Sequence, residues 1–444
     1  MTASGPEAVR APAFASFERQ VPSWFTDAKL GVFVHWGPYS VPAWAEPIGP
    51  LGTFEPHWWM AHNPYAEWYY NTIRIEGSGA RQHHLDTFGG ADYDDFLDLW
   101  HAERFDADAL MDLVSRTGAR YFIPTTKHHD GVTLWDAPGT GDRNTVRRGP
   151  GRDLVAEFRA AAEARGIRFG VYYSGGLDWH ANRLPPITGD LTADVRPVGR
   201  EYADYAHDHV VDLIDRYRPS VLWGDIDWPD AGKAPGGKSL VDVFEHFYAM
   251  TPDGVVNDRW GQTHWDYRTS EYAEGRAAEQ ADSWEHCRGI GFSFGYNAME
   301  DESHHLSGAE VITMLVDVVS RGGNLLLNVG LTAAGEVPEL QARVLRELAR
   351  FNEQHGEAVF GSRPLDPAAG RPSELPWVRW TRTGETAHAF VGTCPDTELD
   401  LDADRFDLGS VAVVGLEARV ENDRVSVRNP HDAPGRISVR LREP

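Results

Sequence analysis

The residues best suited to chemistry sit at the ends of apolar runs. Asp225 and Asp227 occur in VLWGDIDWPD, flanked by Trp223, Trp228 and Pro229. A carboxylate held rigidly beside aromatic rings is a candidate nucleophile or base, whereas an ordinary strand-end Asp caps the next helix. Residues two apart on a strand share a face, so both carboxylates can line one opening and repel each other, raising the pKa of one. The residues alone do not choose between them. Cleaving a glycosidic bond needs two such carboxyls, one to attack or activate water and one to protonate the leaving oxygen.

His35, His128 and His129 invite a metal reading, since zinc sites gather imidazoles with a carboxylate. Adjacent residues on a regular strand face opposite ways, and around these histidines there is no HEXXH, no HXH and no cysteine partner for such a site. Neutral imidazoles that hydrogen-bond to hydroxyl groups suit these positions better, and no metal or cofactor is expected. The chain has 16 Trp, several near these residues: Trp36, Trp44, Trp58, Trp59, Trp68, Trp223, Trp228 and Trp260. Most single Trp residues are core, but aromatic faces clustered with His and carboxylates suit the C–H faces of sugars.

Short β-rich runs must position these groups: 30 to 37, 120 to 129, 167 to 175, 220 to 228, 254 to 260 and 324 to 330. Their apolar middles are those of strands buried on both faces, and helical patterns alternate with them. Leu110, Leu113 and Val114 precede Gly118; Phe158, Ala161 and Ala162 precede Gly166; Tyr202, Ala206, Val210, Leu213 and Tyr217 run at helical spacing to Pro219. His35, His128, His129, Tyr172, Asp225, Asp258 and Arg259 gather at the C-terminal strand ends, the functional edge of a (β/α) barrel. No GxGxxG turn follows the first strand, which favours a closed TIM-like barrel over an open doubly wound sheet. The segments 38 to 105 and 283 to 310 are irregular and leave the strand count open.

A helix over 338 to 356 closes this region. After a Pro- and Gly-rich stretch, alternating runs such as WVRWTRT and RISVRLR indicate a small antiparallel β-sandwich. The expected division is a catalytic domain over 1 to 357 and a β domain over 358 to 444, the latter packing and capping the former. The length of 444 residues accommodates both, and the net charge of -25 argues against nucleic acid or anionic membranes as partners. Cys287 and Cys394 are the only cysteines and form no framework. No leader-like or membrane-spanning run is present, so a cytoplasmic location is expected by default, and a homo-oligomer is compatible with the sequence.

Taken together, KLGVFVHWGPYSVPAW (29 to 44), YAEWYYN (65 to 71), TTKHHDGVTLWDA (125 to 137), GVYYSGGLDW (170 to 179), VLWGDIDWP (221 to 229), VVNDRWG (255 to 261), GFSFGYN (291 to 297) and GGNLLLNVG (322 to 330) resemble the α-L-fucosidases of glycoside hydrolase family 29. The resemblance implies a catalytic barrel followed by a β-sandwich, and a retaining exo-enzyme acting on fucosylated oligosaccharides or glycosides. It implies Asp225 as nucleophile; the matched stretch often has Gly where this chain has Asp227. It implies Glu271, in RTSEYAEG, as acid/base on a variable loop, with Glu67 and Glu285 as alternatives. His35, Glu67, Trp68, His128, His129, Tyr172 and Arg259 are implied to bind the fucosyl ring, with Trp223 and Phe294 against its C6 methyl.

Overall fold

Apolar strands that end in polar residues assemble into one parallel sheet. The computed structural model describes residues 10–49, 54–181, 183–272, 281–399, 401–402, 404–421 and 424–442. Residues 1–9 and positions 273–275 of RTSEYAEG lie outside the described residues. The strands are β1 Leu30–His35, β2 Tyr121–Lys127, β3 Arg168–Ser174, β4 Val221–Asp225, β5 Val255–Val256, β6 Arg268–Glu271, β7 Trp284–Gly289 and β8 Asn324–Gly330. They follow the order β5-β4-β3-β2-β1-β8-β7-β6, every pair parallel. The two edges meet: the amides of Asp266 and Tyr267 donate to Val256 O at 2.8 and 3.4 Å, and the Val256 amide donates to Asp266 Oδ2 at 2.8 Å. The result is the expected (β/α) barrel.

Helices Ala107–Arg116, Leu154–Glu163, Leu240–Met250 and Gly308–Ser320 begin where Asp106, Asp153, Ser239 and Ser307 accept a backbone N–H from the first turn. Each cap satisfies a donor that has no partner within the helix. Gly118, at φ 83°, takes the left-handed conformation just past the first of these helices. Helix Arg200–Tyr217 stops before Pro219 as the sequence predicts, whereas the helix foreseen over 338 to 356 runs three residues further, as Glu339–Val359.

Period-two alternation sorts the strand residues. Val32, Val34, Phe122, Val171, Leu222 and Leu327 face outward and pack with Leu110, Val114, Phe158 and Leu213 of the helices. Phe33, Tyr121, Ile123, Tyr172, Trp223, Cys287 and Leu326 face inward and fill the barrel. The inward set continues to His35 and Asp225 at the strand ends, so burial that stabilises the barrel also delivers these polar groups to its mouth.

Several features depart from the sequence reading. Strands β6 and β7 fall where it placed a loop and an irregular segment, and β4 ends at Asp225 instead of 228. Trp36, Trp228 and Trp260, grouped with the mouth from the sequence, instead pack in the layer between sheet and helices, with Trp228 and Trp260 rings 5.5 Å apart.

Beyond the last helix, strands Ser373–Glu374, Trp377–Thr383, Thr386–Val391, Gly435–Leu441 and Phe406–Val414 form one antiparallel sheet, with Arg363–Pro364 paired on Trp377–Thr383. Cys394–Leu399, Arg424–Asn429 and Glu417–Glu421 form a second. Val378, Trp380, Phe406 and Ile437 of the first share a core with Leu399, Val425 and Val427 of the second, as a sandwich requires. The Thr381 hydroxyl donates to Ala358 O at 2.8 Å, fastening the sandwich to the last barrel helix. Among the described residues no helix is long and apolar enough to cross a membrane.

Candidate active site

Asp225 closes β4, and the next residue decides where its neighbours go. Ile226 has φ 70°, a left-handed conformation that a β-branched side chain resists. That turn lets the Ile226 amide donate to Asp225 Oδ1 at 2.9 Å and takes Asp227 out of strand register. Asp227 therefore does not share the face of Asp225. Its carboxylate pairs with Arg196 at 3.0 Å and Lys233 at 2.9 Å, and accepts the Trp228 amide at 2.7 Å. The repulsion expected between the two carboxylates is replaced by separate partners. Asp227→Asn is expected to change kcat/KM by less than about fivefold, the ~1 kcal/mol of a solvent-screened ion pair. A loss of tenfold or more on an aryl glycoside would place Asp227 in the reaction.

Asp225 Oδ2 accepts the Tyr172 hydroxyl at 2.7 Å and lies 3.8 Å from His129 Nε2, while Oδ1 meets Arg259 Nη1 at 3.2 Å. Burial pushes its carboxyl up, but the Arg259 charge and the hydrogen bonds from Tyr172 and Arg259 outweigh burial and hold it below the usual carboxylate range. Arg259 is shared. Its Nη2 pairs with Glu271 Oε2 at 2.8 Å, its Nε donates to Thr269 Oγ1 at 3.0 Å, and its guanidinium lies 4.7 Å from the Trp223 ring centroid. Glu271 is the last residue of β6, not a loop residue as the sequence suggested, so strand pairing with β7 fixes its backbone.

The histidines line the same pocket. Strand β2 ends at Lys127, so strand alternation does not separate His128 from His129; both line the pocket, ring centroids 4.0 Å apart. His35 Nδ1 lies 2.7 Å from Asn328 Oδ1, and Asn328 Nδ2 donates to Phe294 O at 2.8 Å, which fixes the amide and makes His35 Nδ1 the donor. Ser174 Oγ donates to Leu177 O at 2.9 Å, leaving it to accept from His129 Nδ1 at 2.7 Å. In the neutral rings, Nε2 of His35 and of His129 is then left as an acceptor. Burial pushes His35 down to about 4 and His129 down to about 3, the latter against the pull of Asp225, and pushes His128 well below its ordinary value. His128 Nδ1 is buried with no hydrogen-bond partner among the described residues.

The two alternative carboxyls differ in access. Glu67, on the short turn Ala66–Trp68, lines the pocket and accepts the Ser293 hydroxyl at 3.0 Å and the Gly295 amide at 2.7 Å; burial pushes it up to about 7. Glu285 is fully buried within the barrel, where it accepts Tyr121 Oη at 2.5 Å and Trp223 Nε1 at 2.9 Å, and it does not reach the pocket wall.

One pocket thus brings together Asp225, Glu271, His35, Glu67, Trp68, His128, His129, Tyr172, Trp223, Arg259 and Phe294. Sequence reasoning did not single out Phe33, Met60, Tyr65, Leu191, Ile226 and Cys287, which also line it, or Asn328, which orients His35. Only Asn328 carried a sequence signal, as a polar residue inside the apolar run NLLLNVG. The arrangement combines an ionised carboxylate, a second carboxylate on the same guanidinium, neutral hydrogen-bonding rings and an aromatic wall. Such a set can bind a small polyhydroxylated ring and displace a substituent from it.

Comparison with known proteins points the same way. The family model described as Alpha-L-fucosidase matches residues 6–357. The tissue alpha-L-fucosidase of Homo sapiens is 32% identical over 387 residues, covering 85% of this chain and 77% of that protein. An alpha-L-fucosidase of Dictyostelium discoideum is 30% identical over 390 residues, covering 85% and 79%. Among solved structures, the Thermotoga maritima alpha-fucosidase in complex with fucose is 39% identical, with a TM-score of 0.81 over 95% of this chain and 97% of that one.

Proposed function

The chain belongs to the α-L-fucosidase family of glycoside hydrolases, and on that premise we propose that it releases terminal α-L-fucose with retained configuration by double displacement. Asp225 attacks the anomeric carbon while Glu271 gives its proton to the departing glycosidic oxygen, which leaves as the aglycone alcohol. Glu271 then takes a proton from water, the water oxygen bonds to the anomeric carbon, and the bond to Asp225 breaks. The observation that carries this reading is the single Arg259 guanidinium held by both carboxylates at 3.2 and 2.8 Å. Carboxyls sharing one fork favour the gap of about 5–5.5 Å used for direct attack over the wider gap that an intervening water needs.

His35, His128, His129, Glu67, Tyr172 and Arg259 take the ring hydroxyls and ring oxygen, with Trp68 beside them. Trp223 and Phe294 pack on the C6 methyl. Glu67, held near neutrality by burial, serves as donor or acceptor to a hydroxyl. The catalytic unit runs through the helix that ends at Val359, two residues past the expected division after 357, and the sandwich that follows has a packing and capping role.

Two measurements test the reading. The aryl α-L-galactoside, which adds a 6-hydroxyl, is expected to show kcat/KM about 10–100-fold below the fucoside, since a buried unpaired hydroxyl costs ~1–3 kcal/mol. NMR of the first-formed sugar is expected to show the α anomer. Equal rates would remove the methyl wall, and initial β-fucose would replace retention by inversion.

A further inference from the structure

The residue after the proton donor is fastened to the loop that carries the proposed methyl wall. Tyr272 has φ 48°, a left-handed conformation disfavoured for any residue but glycine, and it ends β6 directly after Glu271. Its hydroxyl donates to Phe292 O at 2.7 Å. Its ring meets the Phe294 ring edge-on at 5.6 Å and stacks with Tyr65 at 6.3 Å. Arg288 covers the ring at 4.1 Å and donates to Gly289 O at 2.7 Å and Gly291 O at 3.0 Å, so the same cation holds both Tyr272 and the start of the loop. The loop is fixed from its other side by Glu67 on the Ser293 hydroxyl and Gly295 amide, and by Asn328 on Phe294 O. Tyr272 itself does not line the pocket.

We propose that Tyr272 is a positioning residue that ties the placement of Glu271 to the loop bearing Phe294, so that the wall recognising the sugar and the group protonating the leaving oxygen move as one unit. This rests on Glu271 as acid/base. The strained backbone at Tyr272 persists because its ring and hydroxyl are held on three sides, and those holds keep the preceding carboxyl in register with the glycosidic oxygen. Loss of the hydroxyl leaves the ring and the Arg288 contact but frees the link to Phe292. The cost falls on proton donation.

Proton donation matters in proportion to the basicity of the leaving group, which separates a positioning role from a structural one. The test measures kcat/KM, which reports the first displacement, on phenyl and 2,4-dinitrophenyl α-L-fucosides for the wild type, Tyr272→Phe and Glu271→Gln. Tyr272→Phe is expected to lose about tenfold or more on the phenyl fucoside and less than about twofold on the dinitrophenyl fucoside, whose departure needs little acid assistance. Glu271→Gln is expected to show the same selectivity with a loss of about 10²-fold or more. A uniform loss in Tyr272→Phe, or none, alongside a selective loss in Glu271→Gln overturns the role of Tyr272 alone. A uniform loss in Glu271→Gln overturns the acid/base assignment, and the proposal for Tyr272 falls with it.

Discussion

Asp225→Gly is expected to lower kcat on an aryl α-L-fucoside by at least about 10³-fold, ~4 kcal/mol of transition-state stabilisation. The substitution removes the attacking oxygen and leaves a small void beside the anomeric carbon. Azide can enter that space. Turnover should return with azide, and the product should be β-L-fucosyl azide, because the external anion attacks the face that Asp225 vacates. Glu271→Ala should also respond to azide, but through the fucosyl-enzyme intermediate, giving the α-azide with two inversions. If the β-azide came from Glu271→Ala and Asp225→Gly gave none, the two roles would be exchanged.

Arg259→Met is expected to cost about 10²–10³-fold in kcat/KM, ~3–4 kcal/mol, because it strips the common partner from two carboxylates at once. Its signature lies in the pH profile. Burial alone raises the Asp225 carboxyl, and Arg259 is the largest influence opposing it, with the net value below the ordinary range. The Asp225 carboxylate is therefore expected to stay ionised to lower pH in the wild type than an ordinary carboxylate would. Without Arg259 the balance shifts towards burial, so Asp225 takes up its proton at higher pH and the acid limb of kcat/KM moves upward. A large loss of rate with an unmoved acid limb would mean that Arg259 positions the sugar without holding the nucleophile ionised.

The same physics explains what the sequence made legible. Strands β1, β2, β3, β4 and β8 are apolar on both faces and stand out. RTSE read as a loop and WEHCRG as irregular because Glu271, which lines the pocket, and Glu285, buried inside the barrel, interrupt the apolar pattern with charge. Function here weakens the local strand signal, as expected where a site is built into a scaffold. β5, only Val255–Val256, is too short to announce itself.

Asp227 shows a second limit. Period-two reasoning holds while the chain remains a strand, and nothing in VLWGDIDWP announces that Ile226, a good strand former, turns left-handed. The same misjudged strand end put Trp228 at the mouth, although it is core. Resemblance carried information that periodicity lacked: it separated Asp225 from Asp227 and drew Glu271 and Phe294 from distant segments into one proposed site. The geometry supplies the reasons, in the shared Arg259 and in the Asn328 amide that links His35 to Phe294.

The central claim is that Asp225 becomes covalently attached to the sugar. A 2-deoxy-2-fluoro-α-L-fucosyl fluoride slows both displacements by destabilising positive charge at the anomeric carbon, while its reactive leaving group lets the first proceed, so the intermediate accumulates. Incubation followed by proteolysis and tandem mass spectrometry should place one fluorofucosyl unit on Asp225, in the peptide containing VLWGDIDWP, with no label in Asp225→Gly. Label on Asp227 or Glu271, or steady turnover with no adduct at all, would contradict the account.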